Sequence, residues 1–207
     1  MAVKERGGTV RGKQKRGLES RATLLESAAA IFAEKEYEGA RLKDISEHAG
    51  ISLGSLYFHF GNKEDVAKAL LEQQSERMVQ AFEAAVEGED SPLERFLAAR
   101  ERLGALIAED RIVQSGIRLR QSTSEELRKL GDAPDRHWAG MTVEMLQAAV
   151  DAGELSEDLD VATLAELLNE MFVGAQIMSG QRGEWSELTG RLERQRPYVS
   201  QLLGLPQ

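Results

Sequence analysis

Hydroxyl, phenol and imidazole side chains are concentrated between residues 52 and 59 of the chain. Such groups donate hydrogen bonds to phosphate oxygens and fit against base edges in a DNA groove. On a helix they would share one face with a leucine and a glycine. The members of this segment are Ser52, Leu53, Gly54, Ser55, Tyr57 and His59. Their chemistry predicts a surface that contacts DNA.

Two short helices must hold this surface in place. Residues 42–50 place Leu42, Ile45 and Ala49 at helical spacing and then reach Gly50, a residue that tolerates a left-handed turn. The helix that carries the polar groups follows directly. Two helices joined by such a turn are typical of a helix-turn-helix motif.

The second helix has its own local signals. The Ser52 hydroxyl is placed to cap its start, and Leu56 and Phe60 lie four residues apart, so both face inward. Asn62 then begins the next helix. An ordinary helical hairpin in a protein core shows the same spacing, so the pattern alone leaves a DNA-binding motif and a core hairpin equally open.

The residue identities in this segment favour the DNA-binding alternative. The runs AGIS at 49–52, LYFHF at 56–60 and KE at 63–64 closely resemble the DNA-binding signature of TetR-family transcriptional repressors. The resemblance extends from about residue 21 to about residue 74. It implies a three-helix DNA-binding head in which Tyr57, His59 and Lys63 contact phosphates.

Two positions depart from the family pattern. Arg41 stands where the family has a polar N-cap, so we expect that cap to be lost and a phosphate-seeking charge to be gained. Leu53 stands where relatives often have a basic residue, which replaces a guanine-reading group with an apolar one able to contact a thymine methyl.

The net charge of −9 is unevenly distributed along the chain. Residues 1–71 hold 12 Lys or Arg against 10 Asp or Glu, whereas the rest hold 14 against 25. The first residues are the most basic and include Lys13, Lys15 and Arg16. Such a run is commonly a solvated tail, and beside a recognition helix it also suits a phosphate or minor-groove arm that orders on binding. Residues 1–18 are expected to form a flexible basic arm.

Amphipathic periodicity predicts helices along most of the remaining chain. The expected helices cover residues 20–35, 63–86, 93–107, 112–119, 137–152, 161–179 and 185–203, the last one broken near Pro197. Ser20 and Asp160 are expected N-caps, and polar residues 121–134 are expected to form a mobile connection. With the helix-turn-helix this predicts an all-α fold of about nine helices, with a head at 19–64 and a ligand-binding and dimerisation domain at 65–207.

Two residues look unusual on their predicted helices. Gln74 is the one polar member of an inward stripe that also contains Met78 and Phe82, and an unpartnered buried amide costs about 1–3 kcal/mol. It must therefore bond to another helix, to water or to a ligand. Trp138 opens an apolar stripe beside the polar connection. On the residues alone, a structural role is the simpler interpretation of both.

The C-terminal part resembles one branch of the TetR family, the receptors for γ-butyrolactone-type signalling molecules. The resemblance rests on RIV at 111–113, GIRL at 116–119, Trp138, DLDV at 158–161, VG at 173–174 and Gly180. It implies that Trp138 packs against the ligand and that Gln74 bonds to it. A third polar contact of some relatives falls at Phe172 here, so the polar groups of the ligand would be held differently. The apolar walls would be Met78, Phe82, Met141 and Met145, and methionines adapt to acyl chains of differing length.

The helix at 161–179 is apolar around most of its circumference, which in a small protein usually means that a partner covers one side. We expect this helix and the last helix to form the interface of a homodimer. A two-fold dimer would place its recognition helices about 34–36 Å apart on a double-stranded, pseudo-palindromic operator. Lys63 and Gln74 lie on one helix, about 16 Å apart, so a small-molecule inducer that tilts this helix would release the DNA.

Other function classes fit less well. The chain has three histidines, no cysteine, no Gly-rich phosphate loop and no nucleophile elbow, so neither catalysis nor a metal or cofactor is expected. No apolar run approaches about 20 residues and no signal peptide is evident, so we expect a cytoplasmic protein without membrane contact. Two rival hypotheses stay open: a sensor of a different drug or metabolite, and a repressor without a ligand.

Overall fold

The computed structural model describes residues 8–120 and 125–205, with side chains at 14–35, 37–120, 127 and 137–205. These residues form helices without strands, as predicted. In chain order they are α1 (Gly8–Gly39), α2 (Leu42–Ala49), α3 (Leu53–His59), α4 (Lys63–Val86), α5 (Pro92–Glu109), α6 (Arg111–Arg120), α7 (Glu125–Asp151), α8 (Val161–Arg182) and α9 (Glu187–Leu202). Within the described ranges, none of them combines the length and apolar character that a bilayer crossing requires.

The amino-terminal head consists of α1, α2 and α3. The apolar stripe of α1 is buried and packs with Ile45 of α2 and Leu56 of α3 in one core; its members are Leu24, Leu25, Ala28, Ile31 and Phe32. Gly50 joins α2 to α3 at φ 64°, the left-handed conformation that glycine adopts at little cost. The predicted helix-turn-helix is therefore present.

The predicted start of the first helix is wrong. The helix does not begin at Ser20 but already at Gly8, so residues 8–18 of the expected flexible arm are helical. Lys, Arg and Gln are good helix formers, and Lys15 pairs with Glu19 one turn later at 3.9 Å. The exposed salt bridge adds little, and Gly12 and Gly17 each weaken the helix by about 1 kcal/mol without ending it. Residues 1–7 of the predicted arm lie outside the described residues.

The core of the head does not stop at the predicted boundary after residue 64. It continues along the first two turns of α4 and receives Ile112 and Leu119 from α6 and Leu127 from α7. The head and the body therefore share apolar contacts, and a movement of α4 or α6 is felt on both sides.

The body is built from α4 to α9 around two further clusters of buried residues. One lies between α4, α5, α6 and the start of α9, and includes Met78, Ile107 and Leu188. The other joins α5, α7, α8 and the end of α9, and includes Phe96 and Leu168. These clusters position the helices that enclose the cavity described below.

The polar stretch predicted as a mobile connection is mostly helical. Residues 125–134 form the first turns of α7, and only residues 121–124 lie outside the described part of the chain. Leu127 is fully buried in the core of the head, which anchors these turns. Burial of one leucine contributes about 1.5–3 kcal/mol, which offsets much of the roughly 4 kcal/mol that Gly131 and Pro134 cost inside a helix.

The predicted break near Pro197 is also absent, because α9 continues through this residue. Proline removes one backbone hydrogen bond from a helix. Leu192 and Val199, on either side of it, are both buried, so packing holds the two halves in one helix. The predicted caps at Ser52, Asn62 and Asp160 are confirmed.

Candidate DNA interface and ligand cavity

The start of α3 is fixed by its own first residue. The Ser55 backbone N–H donates to the Ser52 hydroxyl oxygen at 3.2 Å, and this bond caps the helix. Leu56 and Phe60 are buried against the rest of the head, as predicted. These two anchors turn the opposite side of α3 to solvent.

The exposed side of α3 carries most of the predicted DNA-binding residues. Ser52, Leu53, Gly54 and Tyr57 are exposed, whereas Ser55 and His59 are half-buried. Tyr57 is 53% exposed, so its phenol can reach a partner. The arrangement offers hydroxyl and imidazole donors beside one leucine, which suits the phosphate and base edges of a groove.

Sequence reasoning missed Phe58, which is 83% exposed. Its ring stands edge-on to His59, with 5.3 Å between the ring centroids. The signal was available, because Phe58 lies two residues after buried Leu56 and so about 200° around the helix. A phenylalanine held in water on this side of α3 belongs to the same candidate interface.

The expected loss of the cap at Arg41 is only partial. The Asp44 carboxylate accepts the Arg41 backbone N–H at 3.3 Å and the Lys35 ammonium at 2.8 Å. The Lys35 hydrogen bond keeps the pKa of the Asp44 carboxyl below its usual value. The start of α2 is thus supported by a side chain from its own first turn, while Arg41 remains exposed toward solvent.

Lys63 has partners that the sequence did not reveal. Its ammonium donates to the carbonyls of Tyr37, Glu38 and Ala40 at 2.7, 3.3 and 3.1 Å, and it lies 4.4 Å from the centre of the Tyr37 ring. A cation at these carbonyls stabilises the negative end of α1. Lys63 therefore joins α4 to α1, and its contact with phosphate stays a prediction.

Two of the three predicted basic residues of the arm are described with their side chains. Lys15 and Arg16 are exposed on α1. The Lys13 side chain lies outside the described part of the structure. The predicted arm is helical from residue 8 onward.

A cavity of about 310 Å³ lies in the body between α4, α5, α7 and α8. Six of the seven predicted ligand-binding residues line it. They are Met78, Phe82, Trp138, Met141, Met145 and Phe172. The Trp138 and Phe82 rings meet edge to face with centroids 5.6 Å apart. Mostly apolar walls with a few polar groups are typical of sites for small molecules.

Two arginines that sequence reasoning missed, Arg100 and Arg120, line this cavity. The Arg100 guanidinium stacks on the Phe172 ring at 5.2 Å and donates to the Leu168 carbonyl at 3.2 Å and to Gln195 Oε1 at 2.8 Å. Burial lowers its pKa to about 10, which leaves it protonated at neutral pH. Its spacing on α5 gave no signal, because every partner comes from α8 or α9.

The polar side chains of α7 and α8 complete the lining. The Thr142 hydroxyl lies 3.0 Å from Asn169 Oδ1 and 3.1 Å from the Trp138 carbonyl, either of which can accept its single proton. Gln176 is only 7% exposed and forms no hydrogen bond with the residues that the structure describes. Sequence reasoning named none of these polar groups.

Gln74, the seventh predicted residue, is not part of the cavity lining. It is 3% exposed and donates from Nε2 to Met78 Sδ at 3.4 Å. Its side chain fills the space beside Gly116 of α6. The structure therefore gives Gln74 a packing role directly behind the cavity wall, and its predicted bond to the ligand finds no support in this geometry.

Replacing Gly116 with alanine is expected to destabilise the body. The new Cβ would lie 2.6 Å from Gln74 Oε1 and 2.8 Å from Gln74 Cβ, and the latter is fixed by the backbone of α4. Overpacking of this kind costs about 1–2 kcal/mol. Urea unfolding should show that loss. Gly17→Ala is the matched control: no atom lies within 4 Å of its new Cβ, so stability should be equal or higher. Equal unfolding midpoints for Gly116→Ala and wild type would contradict this account.

The head is also joined to the far side of the body by Arg118. Its guanidinium donates to the Ala33 carbonyl of α1 at 2.6 Å and to the Gly180 carbonyl of α8 at 3.0 Å. Arg77 of α4 similarly bonds Asp110 at 2.6 Å and Glu26 of α1 at 3.2 Å. Both arginines tie α1, and thus the DNA-facing head, to helices that surround the cavity.

Arg118→Met is expected to loosen this connection. It removes two charge-assisted hydrogen bonds, and because the side chain is half-exposed we expect a loss of about 1–2 kcal/mol in the free energy of unfolding. Arg111→Met is the control on the same helix, since Arg111 is exposed. Denaturant titration should separate the two variants. Equal stability of both would show that the bridge does not contribute.

Large apolar side chains on two sides of α8 are left uncovered by the described residues. Leu167, Val173 and Met178 are exposed on it, and Tyr198 and Leu202 are exposed on α9. A groove between α7 and α8 continues this surface. Exposed apolar side chains that form a continuous surface commonly mark an interaction site.

Among the described residues, no three His, Asp or Glu side chains are grouped so that they could hold a metal ion. The candidate sites of this structure are therefore the exposed side of α3 and the cavity of the body.

Comparison with known proteins assigns the head to a family. Residues 24–70 match the model for bacterial regulatory proteins of the tetR family. The chain is 32% identical over 153 residues to the HTH-type transcriptional repressor KstR2 of Mycobacterium tuberculosis, covering 68% of this chain and 72% of that protein. It is 26% identical over 180 residues to the A-factor receptor protein of Streptomyces griseus, covering 87% of this chain and 62% of that receptor.

The similarity extends to the body. A crystal structure of a γ-butyrolactone receptor, an ArpA-like protein, superimposes with a TM-score of 0.67 at 27% identity, covering 87% of this chain and 98% of that one. The protein is thus a transcriptional regulator and not an enzyme. A matched signature in the head, a repressor with 32% identity and receptor-like helices in the body point to one conclusion: the chain belongs to the TetR family, as a repressor that resembles the γ-butyrolactone receptor branch.

Proposed function

We propose that the protein is a homodimeric repressor that binds a pseudo-palindromic operator and is released by a small signalling molecule of γ-butyrolactone type. The observation that carries this proposal is that α4 contributes side chains both to the core of the head and to the wall of the cavity. Val66 and Leu70 lie in the core of the head, whereas Met78 and Phe82 line the cavity. Whatever fills the cavity therefore presses on a helix that is part of the head.

The part of α4 in the head and the part at the cavity are close together along the helix. Leu70 and Met78 are separated by about 12 Å along the helix axis. At its first residue, Lys63 is bonded to the carboxyl end of α1. A tilt of α4 would displace α1 and the recognition helix together, and even small displacements spoil the fit to two grooves about 34–36 Å apart.

The dimer would use the exposed apolar faces of α8 and α9. Leu167, Val173 and Met178 are uncovered on α8, and these are side chains that association removes from water. Cavity residues Val173 and Ile177 belong to the same helix and also line the groove beside α7. A ligand in the cavity would therefore affect the spacing of the two heads through α8 as well as through α4.

The direct test is fluorescence anisotropy on DNA from immediately upstream of the gene, with and without a γ-butyrolactone, at stated salt concentrations. Salt-sensitive binding that the compound releases supports the proposal. Binding that the compound leaves unchanged keeps the repressor and rejects this class of inducer. If this DNA is not bound, selection from random DNA supplies the operator for the same measurement.

A further inference from the structure

The cavity wall contains a positive charge that no carboxylate neutralises. Arg100 is half-buried, and the groups it bonds are a carbonyl and an amide, both neutral. Among the residues that the structure describes, no Asp or Glu lies within ion-pair distance of it. Taking a guanidinium out of water is costly unless an anion compensates it.

Arg77 shows how this protein treats a comparable side chain. Arg77 is also half-buried, yet it pairs with both Asp110 and Glu26. Packing therefore does not prevent pairing of such arginines with acidic residues. The difference is that Arg100 lines the cavity and Arg77 does not.

The position of Arg100 is fixed before any ligand arrives. Its guanidinium is stacked on Phe172 and held at one edge by Leu168 and Gln195. A guanidinium has five N–H donors in a planar fork, so this arrangement leaves part of the fork available. A preorganised planar donor of this kind matches a carboxylate better than it matches a neutral ester or alcohol.

A second donor lies on the adjacent turn of α8. Phe172 and Gln176 are four residues apart, so their positions are about 6 Å apart on one face of the helix. Gln176 is buried, lines the same cavity and has no hydrogen-bond partner among the described residues. Arg100 and Gln176 thus offer a charged and a neutral donor beside the apolar walls, in a lining that also contains Arg120, Thr142 and Asn169.

We propose that the ligand of this cavity is an acidic amphiphile whose carboxylate binds Arg100, with its acyl chain against Met78, Met141 and Met145. This inference rests on the proposed function, because it takes the same cavity as the inducer site, and it assigns the polar end of the inducer a carboxylate in place of a neutral lactone. The stack of Arg100 on Phe172 supplies polar recognition at the position where the sequence departs from its relatives. Gln176 donates to the same polar end of the ligand.

The volume of the cavity limits the size of the chain. About 310 Å³ lies at the lower end of the roughly 300–1,000 Å³ that small-molecule sites span, so a small amphiphile suits it. Octanoate is such a molecule, and octanamide has the same shape without the charge. The pair isolates the carboxylate.

Isothermal titration calorimetry of the full chain with octanoate and octanamide tests the inference. Octanoate is expected to bind at least about tenfold more tightly, as hydrogen bonds to a charged group contribute more than neutral ones. Arg100→Met should reduce this preference to about one or less while octanamide still binds. Arg102→Met, an exposed arginine on the same helix, is the matched control and should keep the preference.

Three outcomes overturn the inference. They are octanamide binding as tightly as octanoate, no octanoate binding at concentrations up to about 5 mM, where a ten-atom ligand of ordinary efficiency is measurable, and a preference that survives Arg100→Met. The wild-type comparison decides even if Arg100→Met does not fold. Because these titrations contain no DNA, they are separate from the operator assay: release of the operator by γ-octalactone without octanoate binding would reject the acidic ligand and keep the proposed repressor.

Discussion

Tyr57→Ala is expected to lower operator affinity by about 30-fold without changing the stability of the protein. Each recognition helix would lose one phenol contact worth about 1 kcal/mol, and a dimer loses it twice, so the two losses sum to about 2 kcal/mol. The fold should be unaffected because Tyr57 is 53% exposed. Anisotropy on the operator and the thermal unfolding midpoint measure the two quantities.

Tyr57→Phe is the matched variant for this experiment. It keeps the ring and removes the hydroxyl, so a loss close to that of Tyr57→Ala would assign the effect to the hydrogen bond. A smaller loss would assign it to contact of the ring with the backbone of the DNA. Unchanged operator affinity in Tyr57→Ala would falsify the assignment of α3 as the recognition helix.

Trp138→Ala is expected to make the protein insensitive to its inducer while operator binding persists. The indole lines the cavity and packs edge to face with Phe82, so its removal takes away ligand contact and enlarges the cavity together. Loss of a partly buried aromatic contact of about 2–3 kcal/mol weakens ligand binding by about 30- to 150-fold. Operator release should then need a correspondingly higher inducer concentration.

Trp138→Phe is the control for this variant. It retains an aromatic ring against Phe82 and should restore most of the response. The head is built from other residues, so both variants should bind the operator as wild type does in the absence of inducer. If Trp138→Ala responds to the inducer at the wild-type concentration, the inducer binds elsewhere and the cavity is not the inducer site.

The Tyr57 and Trp138 variants separate DNA binding from the response to the ligand, the two functions that α4 connects. Tyr57 acts on the affinity for DNA, and Trp138 acts on the response to the ligand. Substitutions at Arg118 and Gly116, both on α6, are expected to change stability. A variant such as Arg118→Met, which loosens the contact of α1 with α8, is therefore informative in the operator assay as well, because it tests whether the head follows the body.

The sequence alone determined the features that depend on neighbouring residues. Ser52 caps α3 through a bond to Ser55, and Gly50 provides the left-handed turn, so both could be predicted from a few letters. The buried stripe of α4 followed from its period, and the polar side of α3 followed from the types of its side chains. Helix periodicity and capping are local, since their partners lie within a few positions.

Only the tertiary structure decided where distant side chains meet. Arg100 is bonded to residues 68 and 95 positions away, and no local pattern could assign it to the cavity. The family resemblance implied a ligand contact for Gln74, whereas in the structure its side chain packs beside Gly116 and does not line the cavity.

The helix extents were decided in the same way. Leu127 anchors a polar segment in the core of the head, and Leu192 and Val199 hold α9 together through Pro197. The physical reason is common to these cases: burial energy and the desolvation of polar groups depend on what surrounds a residue in space, and they outweigh the local preferences that a sequence displays.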